Sequence, residues 1–263
     1  MGSVDLTGEA RTIAVVLEDG VLSVTLDRPE AINALDLAMM RELRELWADL
    51  PAGTRCIVIS GAGKGFCAGA DMSLLESDRS DAAITVADEL TFLPGDQVEV
   101  PVIAAINGAC AGGGLHFVAD ADIVIAGERA SFIDPHVSVG QVTALEPLTL
   151  RLQMRPDVLT RMALLGRHER LTAPEALTAG LVSEVVADAD LLARARELAL
   201  QIAGNSPAAT ARSRKVIRDF ERHLIGEQLE AGWAEIRAHW SHPDSKEGPT
   251  AFIERREPRW EEE

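Results

Sequence analysis

Three things are scarce in this 263-residue chain: cysteine, positive charge and long apolar runs. The three cysteines, Cys56, Cys67 and Cys110, have no C-x-x-C spacing, which argues against a disulfide framework or a zinc site and leaves them as reduced packing residues. Basic residues number 25 against 42 acidic ones, a net charge of −17 that works against non-specific binding to nucleic acid or an anionic membrane. A polyanionic ligand would therefore need its own cationic or amide-lined site. No apolar run reaches the ~18 residues of a membrane-spanning helix. The start "MGSVDLTGEARTIAVV" has no basic region followed by an apolar stretch, so no signal peptide is expected and the reading is a cytoplasmic protein. What is present, 47% hydrophobic and 25% charged residues, is the composition of a folded globular chain.

"RTIAVVLEDGVLSVTLDRPE" reads as two β-rich runs around Asp19-Gly20, a hairpin signal. Leu35, Met39, Leu43, Leu46 and Leu50 recur at steps of three and four, one face of an amphipathic helix. "RCIVIS", "PVIAAI" and "DIVIA" are short Val/Ile-rich runs between breakers and predict buried strands; with helical segments between them, they predict an α/β core with largely parallel pairing. From about residue 145 the chain turns mostly helical. Residues 1–200 are expected to form the core and 201–263 a helical region for oligomerisation, with the tail "ERREPRWEEE" charged enough to fray or lie across a neighbour.

Two glycine-rich stretches follow predicted strands. "SGAGKGFCAGADM" is not a phosphate-binding P-loop, because Lys64 is followed by Gly65 rather than Ser or Thr, and no dinucleotide fingerprint fits it either. "AGGGLHF" repeats the design after "PVIAAING", with a helix predicted to begin near Gly113. Two strand ends offering free N–H groups can form an anion hole. The alternative, glycines serving only tight turns and close packing, stays open at this level.

"LDRPEAINALD", "GKGFCAGADM", "NGACAGGG", "ASFIDPHVSVG" and "GPTAFIERREP" resemble, in order, the signature stretches of the crotonase family, the enoyl-CoA hydratases and isomerases, over residues 12–260. The resemblance implies a spiral of ββα units, a helical C-terminal region that makes trimers or hexamers, and an acyl-CoA substrate, with coenzyme A entering as part of that substrate and no permanently bound cofactor. It also implies fatty acid metabolism. The two amides that would hold the thioester oxygen map onto Ala70 and Gly113. Glu30, Ala31, Ile32, Ala68, Asp71, Met72 and Leu74 inherit the contacts to the CoA phosphates and adenine. Relatives commonly have lysine at Glu30, so Arg28 or Lys64 is left to supply the charge.

Hydratases that this sequence resembles use two glutamates, and at those positions stand His116 and His136. An imidazole can serve as acid or base near neutral pH, and a pair with one neutral and one protonated ring replaces two carboxyls in principle. Both histidines could equally line an acyl-CoA pocket that does other chemistry, an isomerisation, C–C hydrolysis or decarboxylation, or none. Glu146, ten residues past His136, resembles a further acid position of some relatives, or else is an acidic residue at a helix start. Asp134 reads as a loop-capping carboxylate. "HWSH" and the Arg255-Arg256 pair with Trp260 read as surface features. The expectation is a lyase of the enoyl-CoA hydratase type, with an acyl-CoA-binding oligomer as the non-catalytic rival.

Overall fold

A computed structural model describes residues 11–71, 74 and 85–261. The first described elements are β1 (Ile13–Glu18) and β2 (Val21–Leu26), antiparallel across Asp19-Gly20, both with positive φ as a two-residue hairpin turn requires. Helix α1 (Leu37–Ala48) follows, N-capped by Asp36 onto the Met39 N–H, and buries Met39, Leu43 and Trp47. The periodicity located the helix but overran it at both ends: Leu35 belongs to the loop before the cap and Leu50 lies past the last turn.

Next come three strand pairs: β3 (Cys56–Gly61) with β4 (Gly65–Cys67), β5 (Val102–Ile106) with β6 (Ala109–Ala111), and β7 (Ile123–Gly127) with β8 (Ser131–Ile133). The first member of each pair joins one sheet and the second joins another. With β9 (Leu171–Thr172) and β10 (Glu184–Val186), the sheets have the orders β1-β2-β3-β5-β7-β10 and β4-β6-β8-β9. All pairings are parallel except β1–β2 and β8–β9. Between the pairs stand α2 (Val86–Glu89) and α3 (Leu115–Asp120), and this repetition is the spiral of ββα units expected from the sequence. The two short strands β9 and β10 escaped the sequence reading because neither has a residue pattern longer than three positions.

β5 shows why these strands carry no polar face. Val102, Ala104 and Ile106 enter one core with α1 and α3, while Ile103 and Ala105 enter a second core with Leu191, Ala195 and Ala199. A parallel strand covered on both sides needs apolar residues throughout. The three cysteines lie in these cores, and burial pushes the Cys56 and Cys67 thiols up to about 12, as inert packing residues.

The C-terminal part comprises α4 (Leu145–Leu150), α5 (Pro156–Leu165), α6 (Ala173–Ala179), α7 (Leu191–Ala203), α8 (Pro207–His239) and α9 (Asp244–Ile253). The 33-residue α8 is clamped to the core by Arg214, whose guanidinium reaches Asp122 at 2.7 Å and the Val98 carbonyl at 2.6 Å, and by Arg218, 2.8 Å from Asp120. Its Leu229, Trp233, Ile236 and Trp240 stripe packs on Val86, Leu90 and Leu145 of the same chain, so it does not wait for a partner surface. Gly232 lets α8 close on α4: a Cβ there would meet Ala144 Cβ and Leu148 Cδ1 at 3.1 Å. The tail through residue 261 folds back onto α9, with Arg256 and the Arg259 N–H on Glu247 and the Glu261 N–H on Asp244. His239 and His242 are likewise half-buried rather than solvent-exposed, stacked at 5.1 Å with His239 Nε2 2.9 Å from the Gly140 carbonyl. Among the described residues no helix is long and apolar enough to cross a membrane.

Candidate active site

The small sheet builds the site. Its parallel strands β4, β6 and β8 are neighbours, and beyond their C-terminal ends come Ala70, Gly113 and His136 in turn. Ligands of parallel sheets gather at that edge.

The first amide is set by an isolated parallel bridge. The Leu35 N–H bonds to the Gly69 carbonyl and the Asp71 N–H to the Leu35 carbonyl, each at 2.8 Å. Leu35 thus uses the residues on either side of Ala70, and the Ala70 N–H turns away from it, toward the β6 loop. Gly113 lies in the tight 3₁₀ turn Gly112–Gly114, and its N–H makes no turn or loop hydrogen bond among the described residues. The two loops touch: a Cβ on Gly69 would sit 3.1 Å from Gly113 N, and one on Gly113 would sit 3.4 Å from Ala70 N. Gly69 has φ +95 and no room for a side chain, since its Cβ would also meet the Ala111 carbonyl at 2.8 Å. The regular helix starts at Leu115, two residues later than the sequence implied.

Asn33 underpins this edge. Buried and at φ +54, it donates from Nδ2 to the carbonyls of Ala62, Gly65 and Phe66, tying the 30–35 loop to the β3–β4 turn. The same loop runs beside 68–71, with the Ala68 N–H on the Ile32 carbonyl at 2.9 Å. Glu30, Ala31, Ile32, Ala68, Asp71 and Leu74 therefore gather along one rim, and Glu30, Ile32 and Ala68 are exposed there. Met72 lies outside the described residues. Arg28 is not a free cation for a phosphate: it is held by Asp36 and Asp71, both at 3.2 Å, and by the Ala34 carbonyl. Lys64 is exposed on the turn whose Gly63 abuts Pro29.

The ionisable residues converge on one carboxylate. Glu146, 4% exposed, comes from the first turn of α4, and its Oε1 lies 3.0 Å from His116 Nε2 and 3.6 Å from His136 Nε2. His116 is carried by α3, which the edge-to-face rings of Phe66, Phe117 and Phe92 fix from below; Phe92 also meets the His116 ring edge-on at 6.1 Å. His136 opens a 3₁₀ turn after Pro135, and its ring lies against the glycine loop: a Cβ on Gly112 would meet His136 Cε1 at 3.6 Å. Asp134 is more than a loop cap. It is fully buried and its Oδ1 lies 2.6 Å from His136 Nδ1.

Charge follows from this packing. Burial by itself pushes His136 down, but Glu146 and then Asp134 outweigh it and raise the ring from 6.5 to about 9. Burial pushes Glu146 up, yet His116 and His136 together hold its carboxyl well below the ordinary 4.5. At neutral pH the site contains an imidazolium at His136 and a carboxylate at Glu146. Of this cluster His116 also lines a cavity of about 480 Å³, walled further by Leu90, Leu93, Leu152, Ile225 and Leu229, within the size range of small-molecule sites.

The two-sheet ββα spiral thus carries paired backbone amides beyond the ends of its short strands, with His116, His136 and Glu146 clustered beside them. The enoyl-CoA hydratase/isomerase family model matches residues 17–263. The chain is 33% identical over 261 residues to the carnitinyl-CoA dehydratase of Proteus mirabilis, covering 95% of this chain and 98% of that one. It superposes on the enoyl-CoA hydratase/isomerase of Pseudoalteromonas atlantica T6c with a TM-score of 0.84, 29% identity and coverage of 95% and 100%. The carnitinyl-CoA hydratase of Mycobacterium avium gives a TM-score of 0.84, 31% identity and coverage of 96% and 99%. The chain belongs to the enoyl-CoA hydratase/isomerase, or crotonase, family.

Proposed function

We propose that the protein is an acyl-CoA lyase that adds water to a 2-enoyl-CoA and, in reverse, dehydrates a 3-hydroxyacyl-CoA. The observation that carries this reading is Glu146 held between His116 and His136 at the lip of the amide pair. The thioester oxygen sits between the Ala70 and Gly113 N–H groups. His116, with Nε2 turned to Glu146, takes a proton from water at its other ring nitrogen; the oxygen adds to the β-carbon, and the π electrons move onto the thioester oxygen, where the amides stabilise the enolate. His136, the imidazolium, then gives the proton that forms the new C–H bond at the α-carbon.

One turnover leaves His116 with an extra proton and His136 one short. Loss of the gained proton to solvent from the same His116 nitrogen, and uptake of one from solvent at His136 Nε2, reset the pair, with Glu146 facing both Nε2 atoms throughout. The pH profile should carry an alkaline limb, since His136 keeps its proton until about pH 9. The exposed rim at Glu30, Ile32 and Ala68 is where CoA would lie, with Lys64 as the nearby cation. The relatives named for carnitinyl-CoA make a short acyl group bearing a quaternary ammonium one substrate to include.

The C-terminal region 201–263 serves assembly into a trimer or hexamer in this reading. Its support is a second face of α8, on which Val216, Ile217, Phe220 and Leu224 are exposed. The deciding experiment offers the protein trans-2-enoyl-CoA substrates and follows loss of the conjugated thioester absorbance, with mass detection of products from a wider acyl-CoA panel. Hydration supports the reading; tight acyl-CoA binding with no turnover anywhere replaces it with the silent binder.

A further inference from the structure

We infer that Asp134, anchored by Thr143, is the positioning residue of this site: it fixes the orientation of the His136 ring so that its Nε2–H is the one proton the ring can give. The inference rests on the acid role given to His136 above, and its argument is geometric.

Asp134 directly follows β8 and is fully buried. Both of its oxygens are used. Oδ1 accepts from the His136 backbone N–H at 3.2 Å, closing an Asx-type turn across Pro135, and faces His136 Nδ1 at 2.6 Å; Oδ2 accepts from Thr143 Oγ1 at 2.5 Å. A buried carboxylate without a cation is costly, and the cation nearest to this one is the His136 ring. The Asp-Pro-His tripeptide therefore builds its own imidazole-carboxylate pair within one tight turn. Thr143 arrives from the segment that leads into α4, so the strand end that holds His136 and the helix that holds Glu146 are tied through one hydroxyl.

Ring orientation follows. With Nδ1–H committed to Asp134, a flip of the imidazole would leave a buried carboxylate facing carbon. The remaining nitrogen, Nε2, is left pointing past Glu146 and along the Gly112 backbone, beside the amide pair. The ionisable groups facing His136 are Asp134 on its own turn and Glu146 on α4, with His116 on α3 beyond it. Helices α5 and α9 also pack on this turn, and among the described residues neither brings an ion pair to the ring. The arrangement separates two jobs: Glu146 faces the reacting nitrogen, whereas Asp134 holds Nδ1.

Histidine-labelled protein followed by nuclear magnetic resonance tests this without relying on activity. In the wild type, the His136 ring should titrate near 9 and, once neutral, remain the Nδ1–H tautomer. Asp134→Asn keeps the shape and removes the charge, so the titration should move down by about 1–3 pH units, the usual effect of one close opposite charge. The alkaline limb of kcat/KM should move down with it. Thr143→Val should move both in the same direction by less, and Thr143→Ser should restore them. A neutral His136 found as the Nε2–H tautomer, or an Asp134→Asn protein whose titration and alkaline limb stay put while its rate falls evenly at all pH, would overturn the assignment. If Asp134→Asn fails to fold, the wild-type tautomer and the threonine variants still decide. Titration near 9 with the Nδ1–H tautomer, in a protein inactive on every enoyl thioester, would sink the hydratase reading and leave this one standing.

Discussion

Replacing Glu146 with glutamine keeps the side chain's size and removes one charge from between two imidazoles. At 3.6 Å, with an effective dielectric near 20, the lost attraction to His136 is about 4–5 kcal/mol. At about 1.4 kcal/mol per pH unit, that is enough to bring His136 from about 9 to roughly 6, since the burial that disfavours the cation stays in place. At pH 7.5 the acid would then be present in only a small share of molecules. His116, whose Nε2 now faces an amide at 3.0 Å, loses its carboxylate anchor in the same step. The expected result is a fall in kcat/KM of about 10²–10⁴, the usual weight of a positioned proton-transfer group, with the alkaline limb of the profile moving to near neutrality. The assay is thioester absorbance on a short trans-2-enoyl-CoA from pH 6 to 10, with CoA affinity measured separately and expected to hold. His116→Ala and His136→Ala should each fall in the same range, and a double variant should cost little more than either, because the three groups act as a unit. A Glu146→Gln enzyme that keeps a tenth of the wild-type rate with its alkaline limb unmoved would refute the reasoning.

Three more outcomes follow from the same geometry. Gly113→Ala should fold normally, since its Cβ makes only ordinary contacts of 3.4 Å or more, yet it would intrude beside Ala70 N and should cut turnover about 10²–10³-fold with circular dichroism unchanged. His136 is raised above its ordinary 6.5, so the stability it contributes is complete below that value and lost as pH rises through about 9; the melting temperature should decline across that window and not do so in His136→Gln. Charging the outer face of α8 with Phe220→Asp and Leu224→Asp should lower the sedimentation coefficient, whereas an unchanged value would remove this face from the assembly.

What the sequence disclosed was whatever its chemistry encodes locally. The buried strands could be read from Val/Ile runs, and the amide pair from glycines after two of them, because a backbone that must approach another backbone leaves only glycine. Neighbours contributed by distant segments could not be read. That the stripe from Leu229 to Trp240 packs on Leu145 and Val86, more than eighty residues earlier, depends on how distant segments meet. Arg28 looked available until Asp36 and Asp71 closed on it. Asp134 was the most legible of the misses: an aspartate two residues before a histidine is a signal for an Asx turn, but the meeting of Nδ1 with Oδ1 and the hydroxyl of Thr143 depends on how β8 and α4 are brought together.

Gly232 gives the C-terminal helix a reach that no list of site residues would include. Because α8 can settle directly on Ala144 and Leu148, the residues bracketing Glu146, the placement of that carboxylate depends on a helix that begins some sixty residues downstream. A bulky side chain at position 232 would tilt α4 and shift Glu146 against His116 and His136 without altering any of the three residues. A substitution in this helix would therefore act on the site from a distance, through packing rather than through any group it removes.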